Sequence, residues 1–241
     1  MPKVSDIIHG YNHARFLTKR MESIYNQTFD DYEIIFLDDA STDCSIDIYR
    51  RLKNEKCIAE LFNRENSASL NKQWNRGLSE ASGQYVWIAE SDDWSDTGFL
   101  SSAVEIMDDT PQAGMFYCRS NYVDKNDNIV NGNREWAPGI NPSLWENDFV
   151  MKGEKFASEY LILNNVVNNT SACLLRKSVL DALGPLDESI KYCGDWILWA
   201  RIAGVSDIAY SSRRLNYYRH HSGTVRNTRL RGYEQRRELY E

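Results

Sequence analysis

Tyr85-Val86-Trp87-Ile88-Ala89-Glu90-Ser91-Asp92-Asp93-Trp94-Ser95-Asp96 is the stretch that decides the fold. Its first five residues form an unbroken apolar and aromatic run, which stops at Glu90, Asp92 and Asp93. This pattern predicts a buried strand that delivers carboxylates to the end of a sheet. Carboxylates placed there suit a hard divalent cation such as Mg2+ or Mn2+, which prefers oxygen ligands and takes one or two carboxylates when substrate phosphates supply the rest. A solvated turn with an N-cap before a helix over Thr97 to Met107 is the plainer alternative.

A second acidic strand end favours the ligand-holding reading. Glu33 to Leu37 runs into Asp38-Asp39-Ala40-Ser41-Thr42-Asp43, and upstream Val4 to Ile8 runs into His9-Gly10-Tyr11-Asn12. Each apolar run is followed by helical spacing: Phe16, Leu17, Met21, Ile24 and Tyr25; then Ile46, Tyr49 and Leu52; and Leu70, Trp74 and Leu78 at i, i+4, i+8. Alternating strands and helices predict an α/β fold with a mainly parallel central sheet flanked by helices, and with ligands at the carboxyl ends of the strands.

The chain has 241 residues, 42% of them hydrophobic, enough for one sizeable core in a single domain. With 35 acidic residues against 28 Lys and Arg, the net charge is −7, which excludes a nucleic-acid binder by electrostatics. Between Arg213 and Arg237, by contrast, lie eight arginines with His220 and His221. Such a run is either a solvated helical surface or a face for diphosphate, an anionic acceptor or a membrane surface. Cys44, Cys57, Cys118, Cys173 and Cys193 are scattered without a C-x-x-C pair and read as thiols in a reducing compartment. No signal segment and no apolar run of spanning length is present, so a cytoplasmic protein is expected, with peripheral attachment to the inner face of the membrane as an option. Two acceptor-type triplets, at Asn26 and Asn168, carry little weight in such a compartment.

Beyond the break at Asp109-Thr110-Pro111, a strand is predicted over Gly114 to Arg119, then a hairpin turning at Asp124 to Asn128. Trp136 and Trp145 lie in an irregular stretch, where they either stack on a sugar ring or pack beneath the loop. A helix through Phe156, Tyr160 and Leu161, a strand over Ala172 to Leu175 and a helix from Lys177 to Leu183 follow. Gly194-Asp195-Trp196 then opens an amphipathic helix, placing Asp195 at its N-terminus as an N-cap, a fixed catalytic carboxylate, or both.

Five strings in order, Ile7 to Leu17, Ser23 to Phe29, Asp38 to Asp43, Trp87 to Asp93 and Gly194 to Trp196, resemble a family 2 glycosyltransferase. The resemblance covers about residues 4 to 226 and implies a Rossmann-like A-type glycosyltransferase fold. It further implies a nucleotide-diphosphate sugar donor, a divalent cation (Mn2+ or Mg2+) and inversion at the anomeric carbon. Carried over residue by residue, it makes Tyr11 the position that packs on the nucleobase and Asp39 the one that accepts a base N–H. Asn12, Lys72, Ser91 and Asp92 join them as nucleotide-binding positions, Lys72 with a solvent-facing helix lysine as its alternative. Asp92 matches the metal position, with Glu90 in place of the first carboxylate, Asp93 adjoining and His221 able to close over the site. Asp195 matches the catalytic base that deprotonates the acceptor hydroxyl.

The chain departs from the family pattern in two places. His9-Gly10 stands where Pro-Thr is common, which implies a looser first loop without its threonine contact. Gly194 replaces the first acid of the usual acidic pair, which removes an acceptor contact. The Gln-x-x-Arg-Trp string of processive synthases is absent, so one sugar per encounter is expected.

The organisation expected is residues 1–110 as the nucleotide-sugar half, 111–215 as the acceptor and catalytic-base half of the same domain, and 216–241 as a basic C-terminal segment. A chain that ends within the charged stretch Tyr233 to Glu241 reads as a piece of a longer protein. The expected partners are a UDP-sugar donor and a saccharide or lipid-linked acceptor in bacterial surface polysaccharide synthesis, with Arg226, Arg229 and Arg231 facing a lipid phosphate. Oligomeric state is left open. Two rivals stand: a sugar-phosphate nucleotidyltransferase, which should carry a Gly-rich phosphate loop where only Gly10 occurs, and a catalytically silent nucleotide-sugar-binding scaffold.

Overall fold

The computed structural model describes residues 1–130, 140–167 and 169–220. Among these, β1 (Val4–Gly10), α1 (Ala14–Tyr25), β2 (Tyr32–Asp38), α2 (Ser45–Leu52), β3 (Cys57–Phe62), α3 (Leu70–Glu80) and β4 (Tyr85–Glu90) form the first half. There follow β5 (Trp94–Ser95), α4 (Phe99–Asp109), β6 (Ala113–Val123), β7 (Phe149–Met151), α5 (Gly153–Phe156, prolonged by a π-helical turn over Ala157–Leu161), β8 (Cys173–Arg176), α6 (Lys177–Leu183), α7 (Gly194–Ala203) and β9 (Asp207–Arg219). β3, like β5, β7 and β9, is a strand that the sequence pattern does not mark. It is an edge strand of mixed exposure, so its sequence lacks an apolar run.

All nine strands join one sheet in the order β3-β2-β1-β4-β8-β6-β9-β5, with β7 beside β9. β1, β2, β3 and β4 are mutually parallel. β8 runs antiparallel to both β4 and β6, so β6 shares the direction of β4, and β9 is parallel to β6. Only β5, β7 and β8 are reversed, and the sheet is therefore mainly parallel, as the alternating pattern predicts. Register brings His9 beside both Leu37 and Glu90, and Gly10 beside Asp38. Three strand ends thus meet on one edge.

Both faces of the sheet are covered, which is why its central strands read as continuous apolar runs. Ile7, Ile35, Leu37, Val86 and Ile88 face a core with Trp74 of α3 and Leu198 and Trp199 of α7. Their alternates Ile8, Ile34, Phe36, Trp87 and Ala89 face Leu17, Met21 and Ile24 of α1, Tyr49 of α2 and Phe99 of α4. Trp145 takes the packing alternative. It is 1% exposed, in edge-on contact with Phe149, Phe156, Tyr160 and Tyr210, while Trp136 lies outside the described residues.

The hairpin forms where expected: Val123 bridges Ile129, and Asp124 accepts from the Asn126 and Asn128 amides at 2.7 and 3.0 Å. Residues 216–219 belong to β9 and so to the sheet. The first arginines of the basic run are consequently structural, Arg213 donating to Ser102 Oγ and Arg214 to the Ser120 carbonyl. Arg226, Arg229, Arg231 and His221 lie outside the described residues. No helix among those described is long and apolar enough to cross a membrane.

Candidate active site at the carboxyl edge of the sheet

Two loops are tied together above β1 and β2. Asn12, in the left-handed region at φ 56°, accepts through Oδ1 from the Thr42 amide at 2.8 Å and the Asp43 amide at 3.3 Å, while its own amide donates to Ser41 Oγ at 2.9 Å. Asp43 in turn accepts from the Ala14 amide at the start of α1. Asn12 therefore braces the loop that presents Tyr11, whose ring is 41% exposed and open to stacking. Gly10 does not loosen this loop. A Cβ there would lie 2.3 Å from Ser91 Oγ, so the missing side chain allows β1 to press against Ser91. Ser91 is buried, with Oγ 2.7 Å from His13 Nδ1.

Asp39 is buried beside Tyr11, its amide donating to the Gly10 carbonyl at 3.0 Å. Oδ1 accepts from Asn63, from the Ser67 amide at 2.9 Å and from Gln73 Nε2 at 3.1 Å, whereas Oδ2 accepts from Ser67 Oγ at 2.9 Å. The carboxylate thus organises the β3–α3 loop, and Oδ2 keeps lone-pair capacity for a base N–H. Lys72 precedes Gln73 on α3 with its side chain exposed.

The acidic run divides by side. Glu90 and Asp92 are half-buried, whereas Ser91 and Asp93 are buried. Glu90 Oε2 lies 3.4 Å from His9 Nδ1, and its Oε1 is buried without a hydrogen-bond partner among the described residues. Burial alone would lower the His9 pKa, but the hydrogen bond and charge of Glu90, with the charges of Asp39 and Asp92, raise it. Asp93 is 2% exposed; Oδ1 accepts from the Arg219 amide at 2.8 Å and Oδ2 from Asn169 Nδ2 at 2.6 Å. Burial pushes its carboxyl well above the usual range, and the neighbouring Asp92 adds to this. Each oxygen accepts one of these bonds, which hold the Asp93 carboxylate toward the frame, whereas Glu90 and Asp92 stand on the more open side.

Two buried arginines hold the run from beneath. Arg20 Nε donates to the Glu90 carbonyl at 2.9 Å with its guanidinium over the Trp87 ring. Arg219 Nε donates to the Asp92 carbonyl at 2.7 Å, its guanidinium packed against both Phe16 and Trp94. Sequence reading passed over both. Arg20 left one signal, since it occupies the apolar stripe of α1 between Leu17 and Ile24.

Among the described residues no three His, Cys, Asp or Glu side chains form a metal cage. The orphaned Glu90 Oε1, with Asp92 beside it on the open side, fits instead a hard cation that draws its remaining oxygens from a diphosphate.

Asp195 is the second residue of α7, after Cys193 at the N-cap, so the N-cap alternative does not hold. Oδ1 accepts from the Trp196 amide at 2.8 Å and Oδ2 from Asn165 Nδ2 at 3.1 Å. Gly194 has a steric reason: a Cβ would lie 2.3 Å from Asn71 Oδ1 in α3. One stretch of chain joins this carboxylate to the acidic run. Asn165 reaches Asp195, Asn169 reaches Asp93, and Ser171 Oγ accepts from the Glu90 amide at 3.0 Å.

A family model described as glycosyl transferase family 2 matches residues 5–184. A Nostoc protein named an uncharacterized glycosyltransferase is 28% identical over 229 residues, covering 91% of this chain and 65% of its own length. An Escherichia coli protein named UDP-Glc:alpha-D-GlcNAc-diphosphoundecaprenol beta-1,3-glucosyltransferase is 28% identical over 227 residues, covering 93% of this chain and 80% of its own. Among solved structures, Staphylococcus aureus TarS 1–349 with UDP-GlcNAc superposes with a TM-score of 0.72 at 20% identity, over 92% of this chain and 60% of that one. The Pyrobaculum calidifontis mannosyltransferase PcManGT, with GDP-Man and Mn2+, gives 0.69 at 17% identity, over 98% and 61%. The chain thus spans about three fifths to four fifths of the length of these proteins. The strand-end carboxylates, the A-type glycosyltransferase sheet and a family match over most of the chain agree, and the chain belongs to glycosyl transferase family 2.

Proposed function

We propose that this chain moves a sugar from a UDP-sugar to a hydroxyl of a lipid-linked saccharide, with inversion, in surface polysaccharide assembly at the inner face of the membrane. The observation that carries the reading is the stretch from Asn165 to Ser171, whose hydrogen bonds reach both Asp195 and the acidic run. A base and a diphosphate-binding edge held by one piece of chain suit displacement at a carbon lying between them.

In this mechanism Tyr11 stacks on the base, Asp39 accepts its N–H, and Asn12, Ser91 and Lys72 frame the donor. Asp195 takes the proton from the acceptor hydroxyl as that oxygen attacks the anomeric carbon, on the face opposite the departing UDP. One displacement breaks the sugar–phosphate bond and inverts the carbon. Glu90 and Asp92, with His221 as a further ligand, would hold a divalent cation, which when bound supplies Lewis-acid neutralisation of the diphosphate. The UDP donor and lipid diphosphate acceptor follow what the E. coli relative's name says of that protein.

Calorimetric titration of UDP, GDP, CDP and dTDP, with Mn2+ and with chelator, tests the donor site. Metal-dependent binding of UDP alone is expected, and binding of none of the four overturns the reading. Asp195→Asn should abolish transfer with UDP affinity intact, whereas a protein that binds UDP-sugar but never turns it over is the silent scaffold.

A further inference from the structure

We infer that Asn165 is a positioning residue for the reaction, fixing the plane of the Asp195 carboxylate and its place relative to the acidic run. The inference rests on the base role of Asp195 proposed above.

A helix start fixes a side chain only at its root. The Trp196 amide, within the same turn, holds Asp195 Oδ1 at 2.8 Å. Asn165 Nδ2, at 3.1 Å, holds the other oxygen, Oδ2, from a different part of the chain. Both carboxylate oxygens are thus held, one from within α7 and one from a residue thirty positions earlier, and general-base catalysis requires such placement before basicity matters.

The amide orientation is chemically determined. Turned about, Asn165 would set its carbonyl oxygen against a carboxylate oxygen, acceptor against acceptor. In the orientation adopted, Asn165 Oδ1 is buried with no hydrogen-bond partner among the described residues. A buried carbonyl without a partner is a cost that folding alone gives no reason to keep. The bond to Asp195 supplies the reason.

The backbone that carries Asn165 is held on both sides. The π-helical turn over Ala157–Leu161 ends with the Leu161 carbonyl accepting from Trp196 Nε1 at 2.9 Å, a second clip onto the first turn of α7. Such turns, one residue wider than an α-helix, are frequent at functional sites. Val166 and Val167, both buried, lock the following residues. Asn169 then accepts from the Ala172 amide at 3.0 Å and from Asn216 at 3.2 Å while donating to Asp93. Asn165 and Asn169 thus hold, four residues apart, the carboxylate of Asp195 and that of Asp93.

The test measures release of UDP from UDP-glucose with Mn2+ and a GlcNAc-diphospholipid acceptor, in wild type, Asn165→Asp, Asn165→Ala and Asp195→Asn. Asn165→Ala removes the donor without adding charge, whereas Asn165→Asp keeps the shape and sets a second carboxylate against Asp195. Losing a hydrogen bond to a charged group should lower kcat by roughly ten- to a hundredfold, with the KM for UDP-glucose and the calorimetric affinity for UDP within about twofold of wild type. A merely structural role would move KM and melting temperature as well. If both Asn165 variants keep kcat within about threefold while Asp195→Asn is inactive, the positioning role is overturned and the base stands. If Asp195→Asn stays active, the base reading falls, and this inference with it.

Discussion

Substituting Gly194 by alanine should destabilise the protein, although alanine is the better helix former. The added Cβ would lie 2.3 Å from Asn71 Oδ1 and 3.0 Å from its Cγ. Asn71 is 2% exposed and donates to the Asp187 carbonyl at 2.7 Å, so its side chain must leave that bond to make room. Overpacking costs about 1–3 kcal/mol and the lost hydrogen bond about 1 kcal/mol. Replacing glycine in a helix returns at most about 1 kcal/mol, less at the first helical position. The net is about 1–3 kcal/mol, or roughly 3–10 °C in melting temperature for a chain of this size. Thermal unfolding of Gly194→Ala, Asn71→Ala and the double variant measures it. Asn71→Ala frees the space, so Gly194→Ala in that background should cost less than alone, a coupling the cycle isolates. An unchanged melting temperature for Gly194→Ala, or strict additivity, would refute the reasoning. The same collision means that restoring an acid at 194 would harm this chain.

Tyr11→Ala should weaken UDP binding by roughly ten- to a hundredfold, the worth of one base–aromatic stack, and leave the melting temperature unchanged because the ring is exposed; calorimetry and thermal unfolding check the two halves. Arg219→Met should lower stability by about 1–3 kcal/mol, since it leaves the Asp92 and Asp124 carbonyls and the partly exposed Asp127 carboxylate without this donor, and denaturant unfolding reads this directly. Burial alone would raise the Asp127 pKa, but hydrogen bonds from Lys19 and Arg219 hold it below the ordinary value. The stability from that depression is present above about pH 3.9 and lost as the pH falls through the folded-state value. Asp127→Asn should therefore be less stable than wild type at pH 7, with the gap in melting temperature closing below about pH 4.

How far the sequence was legible depended on where each residue's partners lie. Strands β1, β2 and β4 could be read because they are continuous apolar runs, and the helices after them because their burial is periodic and local. Tyr11, Asp39, Asp92 and Asp195 could be read because they stand in short strings at strand or helix ends. Arg219, Asn165 and Asn169 could not. Each acts on a residue 30 to 127 positions away, and no local pattern records such a bond. Gly10 and Gly194 were visible as departures, but their meaning was not. The contacts that exclude a Cβ come from Ser91 and Asn71, far along the chain.

The acidic run shows how a local rule could have gone further. The strand ends at Glu90 and the chain turns at once, the Asp93 amide donating to the Glu90 carbonyl at 3.2 Å. Across this turn Glu90 and Asp92 are half-buried while Ser91 and Asp93 are buried. The tight turn thus sorts the three acids between two sides. The pair at i and i+2 faces the open edge, and the acid after it must turn inward, where its charge needs donors. Arg219 and Asn169 supply them to Asp93, and Arg20 adds positive charge below. The Glu-Ser-Asp-Asp run thus offers one pair of carboxylates to the open edge and one carboxylate to the frame. Exchanging their order, by Asp92→Ser with Ser91→Asp, should lose both UDP binding and stability, because the larger carboxylate at 91 would be buried in the tight space where Ser91 packs against Gly10.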